Sequence, residues 1–243
     1  MIICLAYLAV VVGVGLYAFS KSASSSRMVF APDTWMDALE NADVAVEADL
    51  FYRNNQNQGN RIYRSNSNIH AASNPYLSWA ETLELYQPPA AVQSPEHSLI
   101  IPEGCEVSTN LAYELTLFSQ INAEREKRGL EALTWNQQLS DVARQHSVEM
   151  ACNRFFSHVT PQGEDVAQRI NEAGYDFYAA GENLYAGDDL FNTPRWTYRA
   201  WYNSARHFDV MMHKVLTEVG IGYIYAPGSQ YGAYFTADFA TPE

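Results

Sequence analysis

A pair of strand-like segments near the carboxyl end of the chain is the strongest constraint on the fold. In residues 217–225 (TEVGIGYIY), bulky apolar residues alternate with glycines, which is typical of a strand. Pro227 and Gly228 then predict a turn. Residues 231–239 (YGAYFTADF) predict a returning strand. Because the turn is short, the two strands are expected to pair in the antiparallel direction.

Upstream of this hairpin, apolar residues recur at helical spacing. The first such helix is expected to be capped by Ser108 or Thr109 and to end at Gly129. Further helices are predicted over residues 136–153, 165–173 and 193–207. Helices that flank an antiparallel hairpin indicate the α+β class, with three layers.

Charge narrows the range of partners. The 243 residues include 15 Lys and Arg against 28 Asp and Glu, so the formal net charge is −13. A nucleic-acid binder needs a surplus of basic side chains to contact phosphates, and an anionic lipid surface attracts the same side chains. The sequence therefore argues against both kinds of partner.

The first twenty residues stand apart from the rest. Residues 2–19 contain no charged side chain, and as a helix they would be roughly 27 Å long. Residues 1–20 are therefore interpreted as a signal peptide or as an uncleaved signal anchor, and both alternatives remain open. The chain is expected to contact the membrane only through this segment, with the remainder outside the cytoplasm.

Residues 21–107 are mixed in character. Apolar spacing predicts a helix over residues 33–51. Residues 53–75 are rich in Asn, Gln and Ser and predict a flexible linker.

Four segments in the remaining part occur in a distinctive order. They are HSVEMACNRFFSHVTPQG (146–163), GENL (181–184), WYNSARHFDVM (201–211) and the two strands described above. Together they resemble a CAP domain, the superfamily of cysteine-rich secretory proteins, antigen 5 and pathogenesis-related 1 proteins, and in particular its bacterial branch. On this basis residues 108–243 are predicted to form a CAP (SCP-like) domain.

The resemblance implies an α–β–α sandwich with a groove lined by histidines and acidic residues, which in many members can hold a divalent metal such as zinc. By matching motifs, the groove histidine is His158 and the acid is Glu182. The second histidine corresponds to His207, and Ser204 stands where a second acid is expected. Asn183, beside Glu182, completes the predicted groove set.

Two interpretations of His158, Glu182 and His207 remain open. Imidazole and carboxylate groups are suitable zinc ligands. However, the three residues are far apart along the chain and form no local metal signature. Alternatively, they hydrogen-bond one another and fix the loops over the sheet without a metal. His146 is expected to be a core residue, and Ser204 with His207 on one helix allows, but does not require, a serine nucleophile.

Cys105 and Cys152 are the cysteines outside the first segment. In an exported protein they are expected to form a disulfide, the alternative being buried free thiols.

The predicted function is an extracytoplasmic binding or interaction module, with a small-molecule, lipid or envelope-polymer ligand. The alternative is an extracytoplasmic hydrolase that uses a metal or a His/Glu pair, and no catalytic residue is assigned.

Overall fold

The predicted hairpin is present and lies within a larger sheet. The computed structural model describes residues 44–53, 59–66, 99–188 and 191–243. Its strands are β1 (Val44–Arg53), β2 (Gly59–Asn66), β3 (Ser108–Thr109), β4 (Thr134–Trp135), β5 (Phe177–Gly187), β6 (Glu218–Tyr225) and β7 (Ala233–Pro242). Its helices are α1 (Leu111–Lys127), α2 (Gln137–Asn153), α3 (Val166–Glu172), α4 (Pro194–Asn203) and α5 (Ala205–Met211).

The sheet is almost entirely antiparallel. In the described residues the strand order is β2-β1-β5-β7-β6-β3, and β4 pairs with β6 in parallel. Apolar residues of α1, α4 and α5 pack on one face of the sheet, and those of α2 and α3 pack on the other. The structure therefore confirms the α+β class and the three-layer α–β–α sandwich.

Two glycines of β6 determine how closely α2 approaches the sheet. A Cβ atom added at Gly220 would lie 2.0 Å from the backbone nitrogen of Ser140, and one added at Gly222 would lie 2.2 Å from that of Arg144. The helix backbone therefore occupies the space that side chains would need at these positions. The glycines that alternate in the TEVGIGYIY segment thus serve helix packing.

Several predicted elements differ from the structure. The helix predicted over residues 33–51 is wrong where the structure describes it, because β1 begins at Val44. The segment predicted to be a linker contains β2. The predicted helix over 193–207 is split at Ser204, whose backbone is extended between α4 and α5. The first helix is capped by Asn110, whose side chain accepts from the Tyr113 N–H, rather than by Ser108 or Thr109.

The other differences concern the amino-terminal region. The apolar segment predicted over residues 1–20 lies outside the described residues, and so does the first part of the helix predicted over 33–51. Within the residues that the structure describes, we find no helix with the length and apolar character needed to cross a bilayer. All described residues belong to one compact unit, Leu39–Glu243.

Candidate functional site

The GENL segment lies on β5, the central strand that the sequence did not reveal. Glu182 is opposite Asp49 of β1 and opposite Asp238 of β7. Side chains directly opposite on neighbouring strands share a face, so these three carboxyl groups form a row on the face covered by α2 and α3. Asn183, the next residue, points to the other face.

His158 is hydrogen-bonded to Glu182. It lies in the loop between α2 and α3, and its Nδ1 is 2.5 Å from Glu182 Oε1. Glu182 is fully buried and His158 is 2% exposed. Because a carboxylate only accepts, Nδ1 donates this hydrogen bond, and in the neutral imidazole Nε2 is then an acceptor. His158 Nε2 is buried and has no hydrogen-bond partner among the described residues.

Arg169, which the sequence analysis did not select, occupies the other oxygen of Glu182. Its Nη2 donates to Glu182 Oε2 at 2.6 Å, and its Nη1 donates to the carbonyl oxygens of His158 at 2.9 Å and Glu164 at 3.1 Å. Arg169 lies on α3, whose first turn is fixed by a capping box between Asp165 and Gln168. One guanidinium thus links the carboxylate, the His158 loop and α3.

Glu47 is a second residue that the sequence analysis missed. It lies on β1 and is buried, and its Oε2 accepts the backbone N–H of His158 at 3.1 Å. The same oxygen is 3.9 Å from His158 Nε2. His158 therefore lies between two carboxylates from neighbouring strands.

The carboxyl groups in this cluster differ in charge. Burial raises the pKa of Glu182, but the Arg169 guanidinium and the His146 and His158 imidazoles lower it more, so its pKa lies well below its usual range. Burial and the charge of Glu182 instead raise the pKa of Asp238 well above its usual value. Burial also raises the pKa of Glu47, although His158 opposes this shift. Glu182 is therefore the ionised partner of Arg169.

His207 lies on α5 and bonds to Ser204, the neighbour that their spacing allows. Its Nδ1 shares a 2.6 Å hydrogen bond with Ser204 Oγ, and its carbonyl oxygen accepts from Asn183 Nδ2 at 3.0 Å. Burial, followed by the charge of His158, lowers the pKa of His207 to about 3, although the Glu47 backbone carbonyl opposes part of this shift. The structure therefore joins His158 to Glu182, and His207 to Ser204 and Asn183, without a direct bond between these two groups.

Of the three predicted zinc ligands, Glu182 does not fit a metal as it is placed. Both oxygens of Glu182 already accept hydrogen bonds, one of them from the cationic Arg169. A cation bound to this carboxylate would lie next to a positive charge and displace these donors. Within the described ranges, no group of three or more His, Cys, Asp or Glu side chains is arranged to hold a metal ion.

His146 is fully buried on α2, as expected of a core residue. Its Nε2 donates to the carbonyl oxygen of Ser157 at 3.0 Å, in the segment that leads to His158. Burial lowers the pKa of His146, so the neutral form is favoured.

The predicted disulfide is confirmed. Cys105 and Cys152 are bonded, with 5.7 Å between their Cα atoms. The bond ties the chain before α1 to the end of α2, close to the loop that bears His158.

Comparison with known proteins finds a matching family. The sequence model described as the cysteine-rich secretory protein family (CAP) matches residues 118–239, just over half of the chain. The matched segment contains His158, Glu182 and His207 but not Glu47.

Two relatives come from Bacillus subtilis (strain 168). The uncharacterized protein YkwD is 31% identical over 128 residues, which are 53% of this chain and 47% of YkwD. The uncharacterized membrane protein YlbC is 32% identical over 109 residues, which are 45% of this chain and 31% of YlbC. The chain thus spans less than half the length of these relatives.

A solved structure shows the same fold. An outer surface protein from Borrelia burgdorferi superposes with a TM-score of 0.52 at 21% identity, covering 57% of this chain and 99% of that chain. The fold, the ordered motifs and the matching family model lead to one conclusion: the chain belongs to the cysteine-rich secretory protein (CAP) family.

Proposed function

We propose that this protein is an extracytoplasmic binding module rather than an enzyme. The observation that supports this function best is the closed bonding of Glu182, whose two oxygens are taken by His158 and Arg169 in the buried interior. A carboxylate used in this way stabilises the loop between α2 and α3. Glu182 is therefore poorly placed to act as a general base, which needs an acceptor within reach of substrate.

The location is supported by the disulfide between Cys105 and Cys152, since such bonds persist in oxidising compartments. The descriptions of two similar proteins agree with this location, because one is an outer surface protein and the other is a membrane protein. The apolar residues 2–19 would serve as the signal peptide or the anchor.

The ligand is a small molecule, a lipid or an envelope polymer. The net charge of −13 disfavours ligands with dense negative charge, so neutral or cationic groups are the better candidates. The loop held by Arg169 and Glu47 is the surface that we assign to ligand contact, because so many buried polar contacts fix its shape.

A hydrolase remains the second candidate because Ser204 Oγ is 2.6 Å from His207 Nδ1, which is the geometry of a serine–histidine pair. The environment of the pair argues against it. Burial lowers the pKa of His207 to about 3, and an imidazole of that pKa is a poor proton acceptor at neutral pH.

Two measurements separate these functions. Purified protein is mixed with peptidoglycan sacculi or with vesicles of neutral lipid and sedimented, and buffer alone is the control. If the protein is a binding module, it should pellet with the sacculi or with the vesicles but not in buffer. The soluble fraction is analysed for released fragments, and none are expected. Protein that pellets with neither probe would contradict the polymer and lipid forms of the proposal.

The hydrolase is tested with a fluorophosphonate probe, which labels activated serines. We expect no labelling of the wild-type protein, and the Ser204→Ala variant is the matched control. If the wild-type protein is labelled, the Ser204→Ala variant is not, and fragments of the sacculi or lipid are released, the protein is a hydrolase instead.

A further inference from the structure

A strand outside the family-matching segment reaches the site. β1 precedes residue 118, yet it pairs with β5 along nearly its full length. In this register Asp49 is opposite Glu182, and Glu47, two residues earlier on β1, points to the same face of the sheet. The amino-terminal region thus contributes carboxyl groups to the face on which His158 lies.

Glu47 contacts the main chain of His158 rather than its ring. Its Oε2 accepts the His158 N–H at 3.1 Å and lies 3.9 Å from Nε2, which is beyond hydrogen-bonding distance. Glu47 is only 6% exposed, so water is not readily available to replace it as the acceptor. The backbone N–H of His158 therefore depends on this one carboxylate.

The two carboxylates fix different parts of His158. Glu182 holds the ring through Nδ1, and Glu47 holds the backbone from which the ring extends. With Nδ1 donating to Glu182, the neutral ring leaves Nε2 as an acceptor that has no partner among the described residues. A shift of the backbone would break the Nδ1 bond and turn this acceptor away.

We infer that Glu47 is a positioning residue of the site: it holds the backbone of His158 so that the imidazole stays bonded to Glu182 and Nε2 stays in place as a buried acceptor for a ligand group that donates a hydrogen bond. The ligand part of this inference rests on the binding function proposed above. The action of Glu47 on His158 is independent of any ligand and is measured without one.

The experiment compares four variants of the full chain with the wild-type protein by NMR. Glu47→Ala removes the acceptor, Glu47→Asp withdraws it by one methylene, and Glu47→Gln keeps an acceptor oxygen at the same length. Leu50→Ala is the matched control, because Leu50 is buried on the opposite face of β1 and its loss loosens the strand without touching His158. The measurements are hydrogen exchange of the His158 amide and long-range ¹H–¹⁵N spectra of its imidazole, which report the tautomer.

We expect the wild-type ring to carry its proton on Nδ1. Glu47→Ala should speed exchange of the His158 amide by about tenfold or more, the effect of losing one hydrogen bond to a charged group. The same variant should mix the two tautomers, because the ring is no longer held against Glu182. Glu47→Asp should give a smaller change in the same direction, and Glu47→Gln should restore both signals.

Two results would overturn the inference. One is a Glu47→Ala or Glu47→Asp protein with wild-type amide exchange and an unchanged tautomer. The other is a Leu50→Ala protein that reproduces both changes, since the effect would then come from a loosened β1. If Glu47→Ala does not fold, Glu47→Asp and Glu47→Gln still decide the question. Failure to bind sacculi or vesicles would count against the binding function and leave these signals unaffected.

Discussion

Glu182 and Asp238 lie directly opposite each other on β5 and β7, yet their pKa values are shifted in opposite directions. Arg169 and His158 bond to Glu182 and keep it ionised. Asp238 lies beside that negative charge in the same buried layer, so burial and the charge of Glu182 raise its pKa and favour its protonated form. Replacing each carboxyl group by its neutral amide should therefore change the stability of the protein by different amounts.

Replacing Glu182 by Gln should destabilise the protein strongly, because Arg169 would remain nearly buried without its charged partner. Breaking a buried ion pair from one side typically costs about 3–5 kcal/mol. Asp238→Asn should cost much less, since burial and the charge of Glu182 already favour the neutral form of the native side chain. Urea unfolding at pH 7 measures both changes, with the exposed Glu172→Gln as the control on α3. Equal losses for Glu182→Gln and Asp238→Asn would contradict this assignment of charge.

The same pair predicts a dependence of stability on pH. The pKa of Glu182 in the folded protein lies below 4.5, the ordinary value for a glutamate. Its ionisation thus stabilises the fold fully above that ordinary value, and this contribution is lost as the pH falls toward and through the folded pKa. Glu182→Gln lacks the ionisable group, so the difference in unfolding free energy between wild type and variant should narrow as the pH is lowered from about 6 to about 3. A constant difference over this range would show that Glu182 is not the titrating group.

A third prediction concerns the contact between β6 and α2. Gly222→Ala should destabilise the protein, because the new Cβ would lie 2.2 Å from the backbone nitrogen of Arg144 and the helix would have to move. Overpacking of this kind costs about 1–3 kcal/mol, and a clash with backbone belongs at the upper end. Gly228→Ala is the matched control, since no atom lies within 4 Å of its added Cβ. The change in melting temperature of each variant is the measurement, and a Gly222→Ala protein as stable as Gly228→Ala would refute the packing explanation.

The parts of the fold that were predicted from sequence have strong periodicity. This periodicity is clear in the β6–β7 hairpin and in the amphipathic helices, and these elements together predicted the α+β class. β5 has no such pattern because helices cover both of its faces, so all but one of its residues are buried. β1 was mistaken for a helix because Val46 and Leu50 fit helical spacing, and because β5, the partner strand on its inner side, lies more than a hundred residues further along the chain.

The site was predicted in part for a similar reason. Resemblance to the family selected His158 and Glu182, which are bonded in the structure, and also His207, which bonds to Ser204 instead. Arg169 gave no signal, because an arginine on a short amphipathic helix looks like a surface residue until its partner on β5 is known. Glu47 was missed because it precedes the matching segment, and only strand pairing brings it to His158.

The disulfide permits a last prediction. Cys105 and Cys152 are 47 residues apart. In the chain-entropy model, closing a loop of that length lowers the entropy of the unfolded chain and stabilises the folded protein by about 4 kcal/mol. Changing both cysteines to Ala should therefore lower the free energy of unfolding by roughly that amount while the native fold is kept. Mass spectrometry of the unreduced protein should show the linked peptides. A reductant should lower the free energy of unfolding of the wild type, measured by denaturation, but not that of the double variant. Two free thiols in protein purified from its native compartment would remove both the bond and this support for an extracytoplasmic location.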